Sequence, residues 1–68
     1  MTEILIIVEV TTEGRYVARG VGASIFTEAG DLEHLRGAVR DAVRCHFDDA
    51  DRPRAIRLRL VRDEVIAA

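Results

Sequence analysis

Few side chains in this sequence of 68 residues are equipped for chemistry. They are His34, the adjacent pair Cys45 and His46, the acidic run Asp48, Asp49 and Asp51, and five arginines at 52, 54, 57, 59 and 62. His46 is the most suggestive, because an imidazole titrates near neutral pH and serves as acid, base or ligand. No Ser, Cys or carboxylate stands at a spacing that makes a nucleophile–base pair with it. It is read as a partly buried histidine in the last turn of a helix, donating to a free carbonyl there. Cys45 is read as a structural thiol on the buried flank of the same helix, with little nearby to lower its pKa. His34, Cys45 and His46 do not have the spacing of a zinc set. No catalytic residue, metal site or cofactor is expected.

The arginines ask for a different chemistry. All ten basic residues are Arg. Arg52, Arg54, Arg57, Arg59 and Arg62 crowd into one short stretch, a candidate surface for phosphates or for an acidic partner. Against nucleic acid stand the net charge of −2 and the scarcity of aromatics, which are Tyr16, Phe26 and Phe47 alone. The ordinary reading is a strand face whose guanidinium groups pair with carboxylates. RNA binding is the alternative, and DNA binding is not expected.

Positioning these groups requires a helix and a sheet. From Asp31 to Phe47 the apolar residues recur with a helical period. Leu32, Leu35, Ala38, Val39, Ala42, Val43, Cys45 and His46 share one arc, while Glu33, Arg36, Gly37, Arg40, Asp41 and Arg44 fill the other. This is an amphipathic helix that needs a surface to lie on. Asp31 is its N-cap, with a carboxylate to accept from the first free amides. Glu33 suits the positive helix end. Pro53 bars continuation of the helix.

The flanking segments read as strands. Residues 3–10 are short and rich in β-branched side chains. Ile4, Ile6, Val8 and Val10 fall on one face, and Glu3, Leu5, Ile7 and Glu9 on the other. Apolar residues at the middle of both faces mark a central strand. A turn at Thr11–Gly14 leads to a second strand over 15–21, and residues 24–28 form a third. Gly20 and Gly22 suggest a bend or close approach between them. Residues 55–61 alternate as a fourth, with Ile56, Leu58 and Leu60 toward the helix and Arg57, Arg59 and Val61 away. Residues 65–68 either prolong it or stand apart.

The order β-β-β-α-β predicts an α+β domain. A helical crossover sets the fourth strand parallel to a neighbour, and the shortest path places it beside the first. The expected architecture is a four-stranded mixed sheet of order 3-2-1-4 with one helix on one face. Glu3 and Glu9 then lie near Arg57 and Arg59. The chain makes one domain, 1–68, and a domain this small is marginal alone. One cysteine cannot form an internal disulfide, which leaves oligomerisation as the supplement. Leu5, Ile7, Val17, Val21 and Val61 form an apolar patch on the face the helix leaves open, the candidate self-association face of a dimer or tetramer. No leader or membrane span is visible, so the cytoplasm is expected.

The pattern also resembles a known family. The residues that carry it are the hairpin Gly14-Arg15-Tyr16-Val17-Ala18-Arg19, then Gly22-Ala23-Ser24-Ile25-Phe26-Thr27, then Ala29-Gly30-Asp31-Leu32-Glu33-His34-Leu35 opening the helix. Over roughly residues 3 to 62 this resembles the HicB-like antitoxin-type family, whose domain is a partial ribonuclease-H-like fold. In that family a Gly follows the position of Gly14 and a Thr the position of Asp31; here Arg15 and Leu32 stand there. The resemblance implies a non-catalytic protein-binding module whose partner is a HicA-type mRNA interferase, neutralised by covering its active surface. Full-length antitoxins of the family add a DNA-binding module, and none is recognisable up to Ala68, so this looks like a short stand-alone member.

Overall fold

The computed structural model describes residues 2–68 of the chain. The elements are β1 (Glu3–Val10), β2 (Tyr16–Gly20), β3 (Phe26–Ala29), α1 (Leu32–His46) and β4 (Ala55–Val61). They form one four-stranded sheet of order β3-β2-β1-β4 with α1 against one face, as the alternation and the crossover predict.

Each boundary has a local cause. The β1–β2 hairpin closes where Gly14 takes φ +82°, a left-handed conformation that costs glycine little. The Thr11 amide donates to the Arg15 carbonyl at 2.8 Å, and the Thr11 hydroxyl accepts from the Arg15 amide at 3.0 Å. Between β2 and β3 the chain passes so close to Gly20 that a Cβ there would stand 2.9 Å from the Ala23 carbonyl oxygen. β1 pairs antiparallel with β2 and parallel with β4. Its register sets Ile4, Ile6 and Val8 opposite Ile56, Leu58 and Leu60. The Arg54 and Ala55 amides both donate to the Thr2 carbonyl at 3.0 Å and fix where β4 enters.

The core is the sandwich of these alternate residues with one helix stripe. Ile4, Ile6, Val8, Ala18, Ile25, Leu35, Val39 and Val43 are buried, and no polar side chain among the described residues joins them. Each large aliphatic group so buried stabilises by roughly 1.5–3 kcal/mol.

The helix does not sit centrally. Only Gly30 and Asp31 separate it from β3, so it must start beside that strand, and it packs on β3 and β2 rather than on β4. The return to β4 is longer. Ile56 and Leu58 are therefore only half-buried, and Leu60 is 51% exposed on the helix side of the sheet. Beyond β4, residues 62–68 have no regular secondary structure and are exposed, Val65 at 95% and Ile66 at 77%. They do not prolong the strand within this chain.

Candidate functional site

The structure divides the arginine run. Odd-numbered Arg57 and Arg59 lie on the open face of the sheet, in register with Leu5 and Ile7. Arg52 and Arg54 turn to the helix side instead, where they meet Arg36, Arg40 and Arg44 around a groove of about 520 Å³. Its floor is the buried Val39 and Val43 with Ile56 and Leu58, which stay half-buried because α1 leans toward β3. Arg62 stands at the far end of β4, beside Glu9, Val10 and the hairpin. The expected single basic surface of Arg52, Arg54, Arg57, Arg59 and Arg62 is thus corrected: strand parity and the Pro53 entry point send its members to three places.

The members also differ in partners. Arg57 forks onto Glu3, with Nε to Oε2 at 2.9 Å and Nη2 to Oε1 at 3.1 Å. That contact holds the Glu3 carboxyl below its ordinary pKa, chiefly through the hydrogen bond, and raises Arg57. Glu9 does not join it. The register sets Glu9 opposite Val61 and Val17, so it pairs with Arg19 of β2 at 3.7 Å. Arg52 contacts Asp49 at 2.9 Å and reaches the Arg44 carbonyl at 3.5 Å, where a cation suits the helix C-terminus. Its Nε is buried without a hydrogen-bond partner among the described residues.

The open face carries the apolar patch. Leu5, Ile7 and Val17 are half-buried along its middle, and Val21 and Val61 are exposed at its margins. Sequence reasoning missed its largest member: Phe26 pairs with Arg19 on this face and is 69% exposed. The period-2 alternation of β3 against buried Ile25 was the available signal. Arg57–Glu3, Arg19–Glu9 and Arg15–Glu28 rim the strip with charges of both signs.

His46 and Cys45 are both exposed, which corrects the expectation of a partly buried imidazole and a buried thiol. A helical wheel places His46 on the apolar arc, but the last turn of α1 lies over the end of the sheet, by Ser24–Phe26, with nothing beyond to cover it. His46 donates to no carbonyl among the described contacts; its ring packs edge-on to Phe47 at 4.8 Å. His34 plays the structural part instead. Its amide donates to Asp31 Oδ1 at 2.7 Å, and its Nδ1 lies 2.6 Å from Oδ2. The two bonds together hold the Asp31 carboxyl below its ordinary pKa. Among the described residues no three His, Cys, Asp or Glu side chains gather into a group that could hold a metal ion. No described helix is long and apolar enough to cross a membrane.

Two curated relatives are similar to the chain. A protein of Archaeoglobus fulgidus is 51% identical over 51 residues, covering 75% of this chain and 76% of the relative. One of Thermotoga maritima is 37% identical over 65 residues, covering 96% and 91%. Both bear the name UPF0150 protein. No family model matches the chain. No solved structure matches it.

Proposed function

The chain belongs to the UPF0150 family, and we propose that it works as a non-catalytic protein-binding module of antitoxin type, homo-oligomeric and cytoplasmic. The observation that carries this reading is the open face of the sheet. Leu5, Ile7 and Val17 form an apolar strip, widened by exposed Phe26 and Val61 and rimmed by charges of both signs. An apolar centre with a polar rim is the anatomy of a protein interface. The HicB-like resemblance supplies the partner: a HicA-type mRNA interferase whose active surface the open face covers.

RNA binding through the arginines has less support. Arg57 is neutralised by Glu3, Arg52 contacts Asp49, and the stretch is split between faces. The test mixes the pure chain with a HicA-type interferase from the same genome and follows RNA cleavage and co-elution. The expected result is a stable complex with cleavage suppressed, and loss of both in Ile7→Glu. Free cleavage beside wild-type chain sinks the proposal. A salt-dependent RNA gel shift abolished by Arg57→Ala/Arg59→Ala would put RNA in its place.

A further inference from the structure

We infer that two copies of this chain join through β4, antiparallel and edge to edge, with the two-fold axis at Leu60. β4 is the outer strand of the sheet, seven residues long with neither a bulge nor a proline inside it. Its outward amides and carbonyls are a template for another strand. The sequence around it says which strand. The basic stretch Arg52–Arg59 is followed by the acidic pair Asp63-Glu64, so the segment is complementary to its own reverse. Pairing in parallel would set arginine beside arginine.

A two-fold axis at Leu60 fixes the register. Leu60, exposed on the helix side, meets the other copy's Leu60, and each covers what α1 leaves bare. Residues directly opposite share a face in an antiparallel pair. Asp63 then stands across from Arg57 on the open face. Glu64 stands across from Ile56 on the helix side, diagonal to Arg54 at the mouth of the arginine-rimmed groove. Val65 falls opposite Ala55 and Ile66 opposite Arg54, whose aliphatic stem offers apolar cover. Residues 62–68, exposed and in no strand of their own sheet, thereby become the end of a strand in the other copy's sheet. The product is one continuous eight-stranded sheet, by the four strands each copy contributes. Both helices lie on one side and both open faces stay free on the other. This assembly deepens the oligomeric part of the proposed function and does not depend on which protein the open face takes.

The test is light scattering on the purified full chain, with circular dichroism to confirm that each variant folds. Wild type is expected to be dimeric. Leu60→Arg should yield a folded monomer, because two cations meet at the axis. Asp63→Arg/Glu64→Arg should weaken association at least about tenfold, and adding Arg54→Glu/Arg57→Glu together with Glu3→Arg should restore it, since the pairs across the edge and the Arg57–Glu3 pair are then only exchanged. A monomeric wild type, a dimer indifferent to Leu60→Arg, or a charge exchange that restores nothing overturns the inference. So does a dimer that Ile7→Glu dissociates and Leu60→Arg does not, for it would place self-association on the open face. A folded Leu60→Arg monomer that still suppresses the interferase separates the two proposals: the edge pairing stands and the partner face works without it. Wild type that dimerises at β4 yet leaves the interferase active sinks only the partner.

Discussion

At the scale of single residues, the ionisable groups of this chain do structural work at its surface. Asp31 and Glu3 are both held below their ordinary pKa values, Asp31 by the hydrogen bonds from His34 and Glu3 by the fork of Arg57. A carboxyl whose folded pKa is depressed stabilises the fold fully above its unfolded value and loses that contribution as pH falls through the folded one. Thermal melts should therefore hold level above the ordinary values of 4.5 for Glu3 and 3.8 for Asp31 and decline below them. Glu3→Gln and Asp31→Asn should each lower the melting temperature near neutrality and flatten the acid decline. An unchanged acid limb in the double variant would show that neither contact matters in solution. His46 makes the opposite case. Exposed and packed edge-on to Phe47, it should accept Asn with a stability change within about 0.5 kcal/mol and no loss of partner binding. The Asp31 cap was legible in the sequence because its signal is local. The exposure of His46 was not, because a helical wheel gives an angle and not the length of the surface beneath.

At the scale of elements, the stripe of α1 and the alternation of β1 are what close the core. Leu35 is fully buried at the centre of that contact, so Leu35→Ala should cost about 2–5 kcal/mol in chemical denaturation, a large part of a domain this small. Leu60→Ala, one strand away but half exposed, should cost the isolated fold far less. Equal losses would mean that α1 covers β4 in solution. Strand order and partners were readable from the sequence, since a helical crossover and a short path decide them. The lean of α1 was not, although its cause is plain: Gly30 and Asp31 tether the helix to β3 while the longer return leaves β4 free. From that lean follow the open groove and the gathering of Arg36, Arg40 and Arg44 with Arg52 and Arg54. The sequence placed Arg36, Arg40 and Arg44 on the polar arc of the helix, but nothing in it told what that arc would overlook. Parity did separate Arg57 and Arg59 from Arg52, Arg54 and Arg62 in principle; only the position of the Pro53 bend shows where the even ones go.

At the scale of the whole molecule, a core of eight buried aliphatic side chains among the described residues must hold a small domain, several residues of which lie outside the packed body. A domain of that size buries about 60% of its unfolded surface and has little margin. Association of folded chains stabilises them by mass action, so the melting temperature becomes dependent on concentration. For this chain the melting temperature should rise steadily as concentration is raised about a hundredfold, and the rise should vanish in Leu60→Arg, whose fold has no second copy to draw on. Added salt separates the contributions. The pairing of Asp63 and Glu64 with Arg57 and Arg54 is exposed and weakens with screening, whereas the meeting of two Leu60 side chains does not. Raising salt should therefore shrink the concentration dependence without abolishing it. A melting temperature independent of concentration in wild type would show that the core of Ile4, Ile6, Val8, Leu35, Val39 and Val43 holds the fold alone. The exposed segment after β4 would then be free of any second copy.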